Sequence, residues 1–218
     1  MKVIITGATG MVGEGVLHEC LMSSEVEQVL VINRKPCGVV HPKLKEIIHS
    51  DFFDMSSIEN QLINYDGCFY CLGTTSLKLT EEQYSKISYI LTIYIAEILA
   101  KQNPNMTFCY VSGAGTDGTE KGKFMWARVK GRTENQLMRM HFKKVYIFRP
   151  GFMKPTKGLK NTIKAYKYIT WMFPLLTLLF PKFVCTLREV GIAMVNTISK
   201  GYHKSILEVK DIVDLANK

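Results

Sequence analysis

Three glycines at intervals of three residues follow the first apolar run of the chain, in a pattern that could bind phosphate. The segment Thr6–Gly13 reads TGATGMVG and opens a predicted helix. Gly7 would permit a tight turn, Gly10 would let the backbone approach a pyrophosphate, and Gly13 would allow close helix packing. The helix N-terminus offers unpaired N–H groups to the same anion. The spacing predicts a dinucleotide-binding loop, with a plain glycine-rich turn as the alternative. The expected loop contacts are Thr6, Gly7, Thr9, Gly10, Met11, Val12 and Gly13.

A basic pair ends the second predicted strand, where an NAD site usually carries an acid that binds the ribose 2′-hydroxyl. Here the strand is followed by Asn33, Arg34 and Lys35. Arg34 could hydrogen-bond a 2′-phosphate and stack on adenine, so NADP(H) is favoured over NAD(H). The alternative is a solvated loop charge. Asp51 and Phe52 could hold the adenine amino group and ring, although Asp51 could equally be a surface residue or a helix cap.

Apolar strands alternate with helices around these segments. We predict strands at 3–6, 29–32, 46–49, 68–72, 107–112 and 145–149, and helices at 11–22, 80–101 and 123–140. Strands that are apolar almost throughout are typical of a parallel sheet covered on both faces. The predicted fold is α/β, a Rossmann-like doubly wound parallel sheet, forming a single domain over 1–218. Residues 151–218 would form a small helical C-terminal substrate or lid region, and the ligand should lie at the carboxyl ends of the strands.

Further motifs follow the later strands. They are Asp51, the segment Cys71–Thr75, Val111–Ser112, Lys130–Gly131 and Phe148–Gly151. With the glycine loop, they make the chain similar to the atypical short-chain dehydrogenase/reductases, in the branch that includes the Tat-interacting oxidoreductase-like family. The resemblance implies that Leu72, Gly73 and Thr74 pass beside the adenosine ribose and the pyrophosphate. It also implies that Ser112 binds a substrate carbonyl, that Lys130 binds the nicotinamide ribose, and that Pro150 and Gly151 lie against the carboxamide.

Tryptophan replaces the tyrosine of the family's Tyr-x-x-x-Lys motif, which here reads Trp126-Ala127-Arg128-Val129-Lys130. The family's tyrosine donates a proton to the substrate oxygen, and the nearby lysine charge lowers its pKa. An indole N–H can donate a hydrogen bond but cannot supply that proton near neutral pH. Ser112, Lys130 and Trp126 therefore form an incomplete catalytic set.

Two hypotheses remain open for the function. The first is an NADP(H)-dependent oxidoreductase or epimerase that acts on a small apolar carbonyl or hydroxyl substrate. Its proton would come from water or from a tyrosine of the 80–101 helix, which carries Tyr84, Tyr89 and Tyr94. The second is an NADPH-binding regulatory or scaffolding module with reduced catalysis. Either could be a monomer or a homodimer.

The net charge of +9 comes from one block of the sequence. Residues 119–182 hold 15 Lys and Arg against 2 Asp and Glu, whereas residues 1–118 hold 8 against 13. Lysines at 157, 160, 164 and 167 would share one helix face, ahead of the apolar run 169–181. We interpret this region as a solvated helix followed by a lid over the substrate. A peripheral membrane contact through 157–181 is the alternative. No nucleic-acid-binding motif is present, so nucleic acid is not an expected partner.

The cysteines and the N-terminus give further expectations. The six cysteines have no framework spacing, and Cys68 and Cys71 would point to opposite faces of a strand. No metal site is therefore predicted. The uncharged run Tyr168–Pro181 has 14 residues and is broken by Pro174, short of the roughly 20 that span a membrane. Without a secretory signal pattern, the expected location is cytoplasmic, with a possible peripheral membrane association.

Overall fold

The computed structural model describes residues 1–161, 173–180 and 182–218. Its strands are β1 Lys2–Thr6, β2 Gln28–Asn33, β3 Leu44–Ile48, β4 Gly67–Tyr70, β5 Thr107–Val111, β6 Lys144–Arg149, β7 Phe152–Lys154, β8 Val184–Thr186 and β9 Ile206–Glu208. Its helices are α1 Met11–Met22, α2 Glu81–Ser85, α3 Leu91–Gln102, α4 Met125–Leu137, α5 Phe173–Leu179, α6 Leu187–Ser199 and α7 Val209–Ala216. A π-helical turn, Lys86–Ile90, joins α2 to α3, and a 3₁₀ turn, Glu59–Gln61, precedes β4.

Seven strands form one parallel sheet in the order β3-β2-β1-β4-β5-β6-β9. Side chains alternate between its faces. Val3 and Ile5 of β1 pack into an apolar cluster with α1, α6 and α7, while Ile4 packs into a second cluster with α3 and α4. All three are fully buried. This three-layer arrangement confirms the predicted doubly wound α/β fold, since apolar strands need cover on both faces.

The predicted helix 80–101 is present with an interruption. Thr80 begins it with a capping box, in which its hydroxyl accepts the Gln83 N–H and the Gln83 side chain accepts the Thr80 N–H. The π-helical turn then follows, and the Ser88 carbonyl accepts hydroxyls from Thr92 of α3 and Thr133 of α4, both at 3.0 Å. The turn therefore fastens α4 to the neighbouring helix.

The C-terminal part of the chain contributes to the main sheet. Strand β9 pairs with β6, and α6 packs on α1 so closely that a Cβ on Gly15 would lie 2.3 Å from Leu187 Cδ2. Strands β7 and β8 form a separate parallel pair. The predicted helix with a lysine face is wrong at Lys157 and Lys160, which lie in a turn and a bend. Its other positions, 164 and 167, lie outside the described residues, as do 169–172 and 181 of the apolar run.

The two cysteines of the C-x-x-C pair face opposite sides of the sheet, as predicted. Cys68 belongs to the apolar cluster under α3 and α4, and Cys71 packs against the cluster under α1 and α6. All six cysteines are free thiols. Among residues 1–161, 173–180 and 182–218, no three His, Cys, Asp or Glu side chains group as metal ligands. No helix in these ranges is long and apolar enough to cross a membrane.

Candidate active site and cofactor cleft

The glycine loop lies at the carboxyl end of β1 and packs tightly against its neighbours. Gly7 has a φ of +73°, and a Cβ there would lie 2.8 Å from the Cys71 carbonyl oxygen beyond β4. A Cβ on Gly13 would lie 2.2 Å from the Gly7 carbonyl oxygen. Gly10 caps α1 without any side chain. The loop needs glycine at both ends, because one position has positive φ and the other meets backbone.

A cavity of about 170 Å³ opens beside this loop, between the ends of β1, β2 and β4. Seven residues of the predicted cofactor site line it: Gly7, Thr9, Gly10, Arg34, Phe52, Leu72 and Gly73. Three more lining residues were missed by the sequence analysis: Ile32, Asn33 and Cys71. The structure thus brings together predicted residues that are separated by more than 60 positions in the sequence.

Asn33 and Thr6 have buried polar atoms near this cavity. Asn33 donates from Nδ2 to Glu46 Oε1 at 3.0 Å, but its Oδ1 has no hydrogen-bond partner among the described residues. The same holds for Thr6 Oγ1. Buried polar atoms are usually paired, so the Asn33 oxygen marks the wall of the cleft as a place where a polar ligand group would be favourable.

Two predicted adenosine contacts are placed differently. The Asp51 carboxylate accepts the backbone N–H of Phe53 at 2.9 Å, so it caps a local turn, one of the roles the sequence left open for it. Thr74 follows Gly73 but does not line the cavity. Phe52 does line it and also packs against His49, with ring centroids 6.1 Å apart. Phe52 is therefore the apolar wall of this part of the cleft.

Ser112 directly follows β5 and belongs to a buried hydrogen-bond network. Its hydroxyl donates to Glu134 Oε1 and lies 3.0 Å from the Thr116 hydroxyl. Glu134 is 2% exposed and also forms a two-point ion pair with the Arg149 guanidinium, which reaches Glu208 as well. A serine hydroxyl can donate only one hydrogen bond. Here Glu134 accepts it, so the Ser112 hydroxyl donates no hydrogen bond towards a substrate.

Glu134 was missed by the sequence analysis, although the sequence contains a signal for it. It is one of only two acids in the basic block 119–182, and it lies one helical turn after Lys130. A lone carboxylate among so many cations would be expected to form an ion pair. Its buried pairing with Arg149 joins α4 to the end of β6.

Lys130 lies half-buried on α4, facing the end of β5. Its ammonium donates to the Val111 carbonyl oxygen at 3.2 Å and lies 5.3 Å from the Tyr110 ring centroid. Burial lowers the Lys130 pKa to about 8, and the charge of Glu134 opposes that change. A lysine in this state can carry a positive charge or lose its proton close to neutral pH.

Trp126 begins the same face of α4, one turn before Lys130, and is half-buried. Its ring edge packs towards Gly115, where an added Cβ would lie 3.5 Å from Trp126 Cη2. The nearby Arg128 is used structurally, since its guanidinium binds the Gly122 and Lys123 carbonyls and Glu81. The tyrosine position therefore holds an indole, and Arg128 does not replace the missing phenol.

The three tyrosines of the preceding helix were candidate proton donors. The Tyr94 hydroxyl accepts the backbone N–H of Met55 at 3.1 Å, and the Tyr89 ring stacks under Arg132. Tyr84 is buried, and burial raises its pKa. These contacts direct Tyr89 and Tyr94 to other partners, so neither of these two tyrosines takes the missing role in the structure.

Pro150 and Gly151 follow β6 on the same edge of the sheet. The Pro150 carbonyl accepts the N–H of Ala114 at 3.0 Å, which ties this turn to the loop after Ser112. A Cβ on Gly151 would lie 2.2 Å from the Phe183 carbonyl oxygen. The turn is therefore packed between the β5 loop and the segment leading into β8.

Comparison with known protein families assigns this chain to one of them. A family model described as the NAD dependent epimerase/dehydratase family matches residues 3–126, more than half of the chain. The chain belongs to this family. The predicted short-chain dehydrogenase/reductase resemblance is therefore confirmed, and the match runs from β1 to the Trp126 position.

Individual relatives agree with the family assignment. The chain is 26% identical to the Candida albicans protein FMP52, mitochondrial, covering 100% of this chain and 99% of that protein. It is 27% identical to rat protein HTATIP2 over 70% of this chain and 62% of that protein. The solved structure of MoeE5 with UDP-glucose and NAD has a TM-score of 0.67 and 16% identity, covering 99% of this chain and 81% of that one.

The relatives correct the expected location. The predicted cytoplasmic location is wrong, because three relatives carry "mitochondrial" in their names: FMP52 of Candida albicans and of Saccharomyces cerevisiae, and FMP52-1 of Scheffersomyces stipitis. Two of these three match the whole of this chain. The expectation failed because it relied only on the missing secretory pattern, which distinguishes secretion from other destinations and says nothing of organelles.

Proposed function

We propose that this family member binds a nicotinamide dinucleotide at the carboxyl edge of its sheet and prefers NADP(H) to NAD(H). The family assignment and the NAD complexes of proteins with the same fold support the cofactor class. The preference depends on Arg34, an exposed guanidinium at the end of β2. Its planar group can form paired hydrogen bonds with a phosphate, and no acid occupies that position to bind a 2′-hydroxyl.

The backbone that lines the cleft suits such a ligand. Gly10 and Gly73 both line the cavity, and a Cβ on Gly73 would meet no atom within 4 Å. Bare backbone therefore faces the place where a pyrophosphate would lie. The Gly10 N–H donates to the Gly7 carbonyl oxygen at 2.9 Å, so the N–H groups of the first turn of α1 would bind the pyrophosphate. Phe52 would cover the adenine, while Lys130, Pro150 and Gly151 would hold the nicotinamide end. When bound, the cofactor supplies or accepts a hydride.

Calorimetric titration of the protein with NADPH and NADH tests this proposal. We expect NADPH to bind at least tenfold more tightly than NADH, and Arg34→Ala to remove most of that difference. Lys45→Ala changes an exposed lysine of β3 outside the cavity lining and should leave both affinities unchanged. Equal affinity for the two cofactors in the wild type would refute the preference, and no binding of either would refute the cofactor site.

The arrangement of Ser112 and Trp126 supports a binding module with reduced turnover. Ser112 donates its proton to Glu134, and Trp126 has no acidic proton to give a substrate oxygen. Both groups that the resemblance assigns to the substrate oxygen are therefore unable to act in the usual way. The protein would retain the dinucleotide and reduce carbonyls slowly, acting as a sensor or scaffold.

An oxidoreductase is the second candidate, and Lys130 favours it. Its lowered pKa, about 8, would let its ammonium donate a proton near neutral pH. The substrate would be small and apolar, since Trp126 and Phe152 lie near this edge and Phe152 packs with Phe173 at 6.4 Å between ring centroids. The names of the relatives support a mitochondrial setting for either activity.

A carbonyl-reduction assay with NADPH separates the two candidates. For the binding module we expect little activity in the wild type and a gain in Trp126→Tyr, which restores a phenol one turn before Lys130. Wild-type activity that falls at least a hundredfold in Lys130→Met, while NADPH still binds, would favour the oxidoreductase. Trp126→Phe is the matched control, because it changes the ring without supplying an acidic proton.

A further inference from the structure

A second cavity, of about 520 Å³, adjoins the first and shares Thr9 and Arg34 with it. Three of its lining residues are cations: Arg34, Lys35 and Lys160. Arg34 and Lys35 follow β2, whereas Lys160 comes from the segment after β7. No carboxylate lines the cavity, and among the described residues none lies within ion-pair distance of these three cations. Three unpaired cations around one hollow create a positive potential that favours an anion.

The position of Lys160 is fixed by Glu14 in the first turn of α1. The Glu14 carboxylate accepts the backbone N–H of Lys160 at 2.8 Å and that of Asn161 at 2.7 Å. Glu14 is only 9% exposed, so these charge-assisted bonds are largely shielded from water. The Lys160 ammonium then lies against the loop after β2, 3.8 Å from the Cβ position of Gly38.

Two carboxylates that contact lining residues of this cavity, Glu14 and Glu46, are already engaged. Both oxygens of Glu14 face the two backbone N–H groups of the Lys160 segment. Glu46 on β3 accepts the Cys37 N–H at 2.9 Å and the Asn33 amide at 3.0 Å. Their hydrogen bonds direct them to backbone and amide donors, so the three cations face the cavity without a neutralising partner.

We propose that Lys160 is a specificity-determining residue for the 2′-phosphate of NADP(H), and that Glu14 is the positioning residue that holds it beside Arg34. This inference rests on the proposed cofactor function and extends its site to a residue 126 positions away from Arg34. A phosphate monoester carries close to two negative charges at neutral pH, which one guanidinium does not balance. The planar Arg34 guanidinium would supply directed hydrogen bonds, and the Lys160 ammonium would supply a compact positive charge. A 2′-hydroxyl is uncharged, so Lys160 should not strengthen the binding of NAD(H).

Calorimetry on Lys160→Ala tests the specificity role, with Lys157→Ala as the matched control. Lys157 is an exposed lysine of the same segment that does not line this cavity. We expect Lys160→Ala to weaken NADPH binding about tenfold and to change NADH binding less than twofold, and Lys157→Ala to change neither. Equal loss for both cofactors, or no loss for NADPH, would overturn the proposal.

A second probe separates this proposal from the cofactor function itself. Adenosine 2′,5′-bisphosphate carries the 2′-phosphate without nicotinamide, and adenosine 5′-monophosphate lacks that phosphate. Lys160-dependent binding of the bisphosphate supports the subsite even if the protein binds neither NADPH nor NADH. Lack of any difference between the two nucleotides in the wild type overturns the subsite, whatever the nicotinamide cofactors do.

Glu14→Gln tests the positioning role through the ratio of the two affinities. Loss of the Glu14 charge would strengthen binding of both dinucleotides, because one negative charge leaves the pyrophosphate end of the cleft. Weaker hydrogen bonds from the Lys160 segment to residue 14 should lower the affinity for NADPH alone. The NADPH-to-NADH affinity ratio should therefore fall about threefold or more. An unchanged ratio in Glu14→Gln would overturn the positioning role, while the Lys160→Ala result would still decide the specificity role.

Discussion

Lys130 and Glu134 lie one turn apart on α4 and experience opposite environments. Glu134 is paired with Arg149 and accepts the Ser112 hydroxyl. Lys130 has a carbonyl oxygen and an aromatic ring as its neighbours, and burial is the main influence on its charge. Lys130, which we propose holds the nicotinamide end of the cofactor, is therefore destabilised by desolvation in the free protein, and a bound anionic ligand would relieve this.

The pH dependence of stability should reveal this cost at Lys130. Its pKa is 10.5 in the unfolded chain and about 8 in the folded protein. Between these values the unfolded chain holds a proton that the folded protein has lost, so the free energy of unfolding rises with pH. At about 1.4 kcal/mol for each pKa unit, the full change is about 3 kcal/mol. Urea unfolding from pH 7 to pH 10 should show that rise in wild type relative to Lys130→Met.

The comparison needs a control, because other tyrosines, lysines and cysteines titrate in the same pH range. Lys123→Met removes an exposed lysine just before α4 and should track the wild type at every pH. A constant difference between wild type and Lys130→Met across the range would contradict the lowered pKa.

Substitutions in the Ser112 network should separate the contribution of the Glu134–Arg149 ion pair to the unfolding free energy from that of the Ser112 hydrogen bond. Glu134→Gln leaves Arg149 with only its exposed partner Glu208, so we expect a loss of about 3 kcal/mol of unfolding free energy. Ser112→Ala removes one hydrogen bond to a carboxylate that keeps Arg149, and should cost about 1.5 kcal/mol. Glu120→Gln, at an exposed acid, should stay within about 0.5 kcal/mol. Equal losses in the first two variants would show that the ion pair adds nothing.

At the scale of elements, the sequence predicted the strands and loops that are determined by a local sequence pattern. Apolar runs and glycine spacing predicted six strands and the loop before α1, because each signal lies within a few consecutive residues. Strands β7, β8 and β9 have three residues each, too few to show an alternation. Strand β9 forms because it pairs with the edge of β6, and this pairing depends on the tertiary fold and not on a local sequence pattern. The helix predicted over Lys157 and Lys160 was wrong for the same reason, since Glu14 holds this segment in a bend across 146 positions.

The contact between the glycine loop and α1 leads to a prediction at this scale. Gly13→Ala places a methyl group 2.2 Å from the Gly7 carbonyl oxygen, and backbone on both sides must move. We expect a loss of about 3 kcal/mol of unfolding free energy and of detectable NADPH binding, measured by urea unfolding and calorimetry. Gly118→Ala is the matched control, because a Cβ there meets no atom within 4 Å. A stable Gly13→Ala that binds NADPH normally would contradict this packing.

At the scale of the whole molecule, the basic block of the sequence runs into a segment of exposed apolar side chains. The block 119–182 carries the excess of cations, and four apolar residues near its end are half exposed or more: Leu175, Leu179, Phe180 and Phe183. Lys182 is exposed between the last two. A lid over a substrate would bury these side chains when ligand binds, whereas a membrane contact would insert them beneath a layer of anionic headgroups.

Vesicle sedimentation distinguishes these two uses of the surface. Vesicles containing 30% phosphatidylserine should sediment the wild-type protein at low salt, because lysines attract the headgroups and the apolar residues insert. Half a molar salt should release most of it, since screening shortens the range of that attraction to a few ångströms. The double variant Phe180→Ser with Phe183→Ser should lose sedimentation about tenfold, whereas Leu77→Ser, at another exposed apolar residue, should not. If the wild type stays in solution with these vesicles at low salt, the surface is not a membrane contact. Protection of Phe180 and Phe183 from solvent on ligand binding would then support the lid.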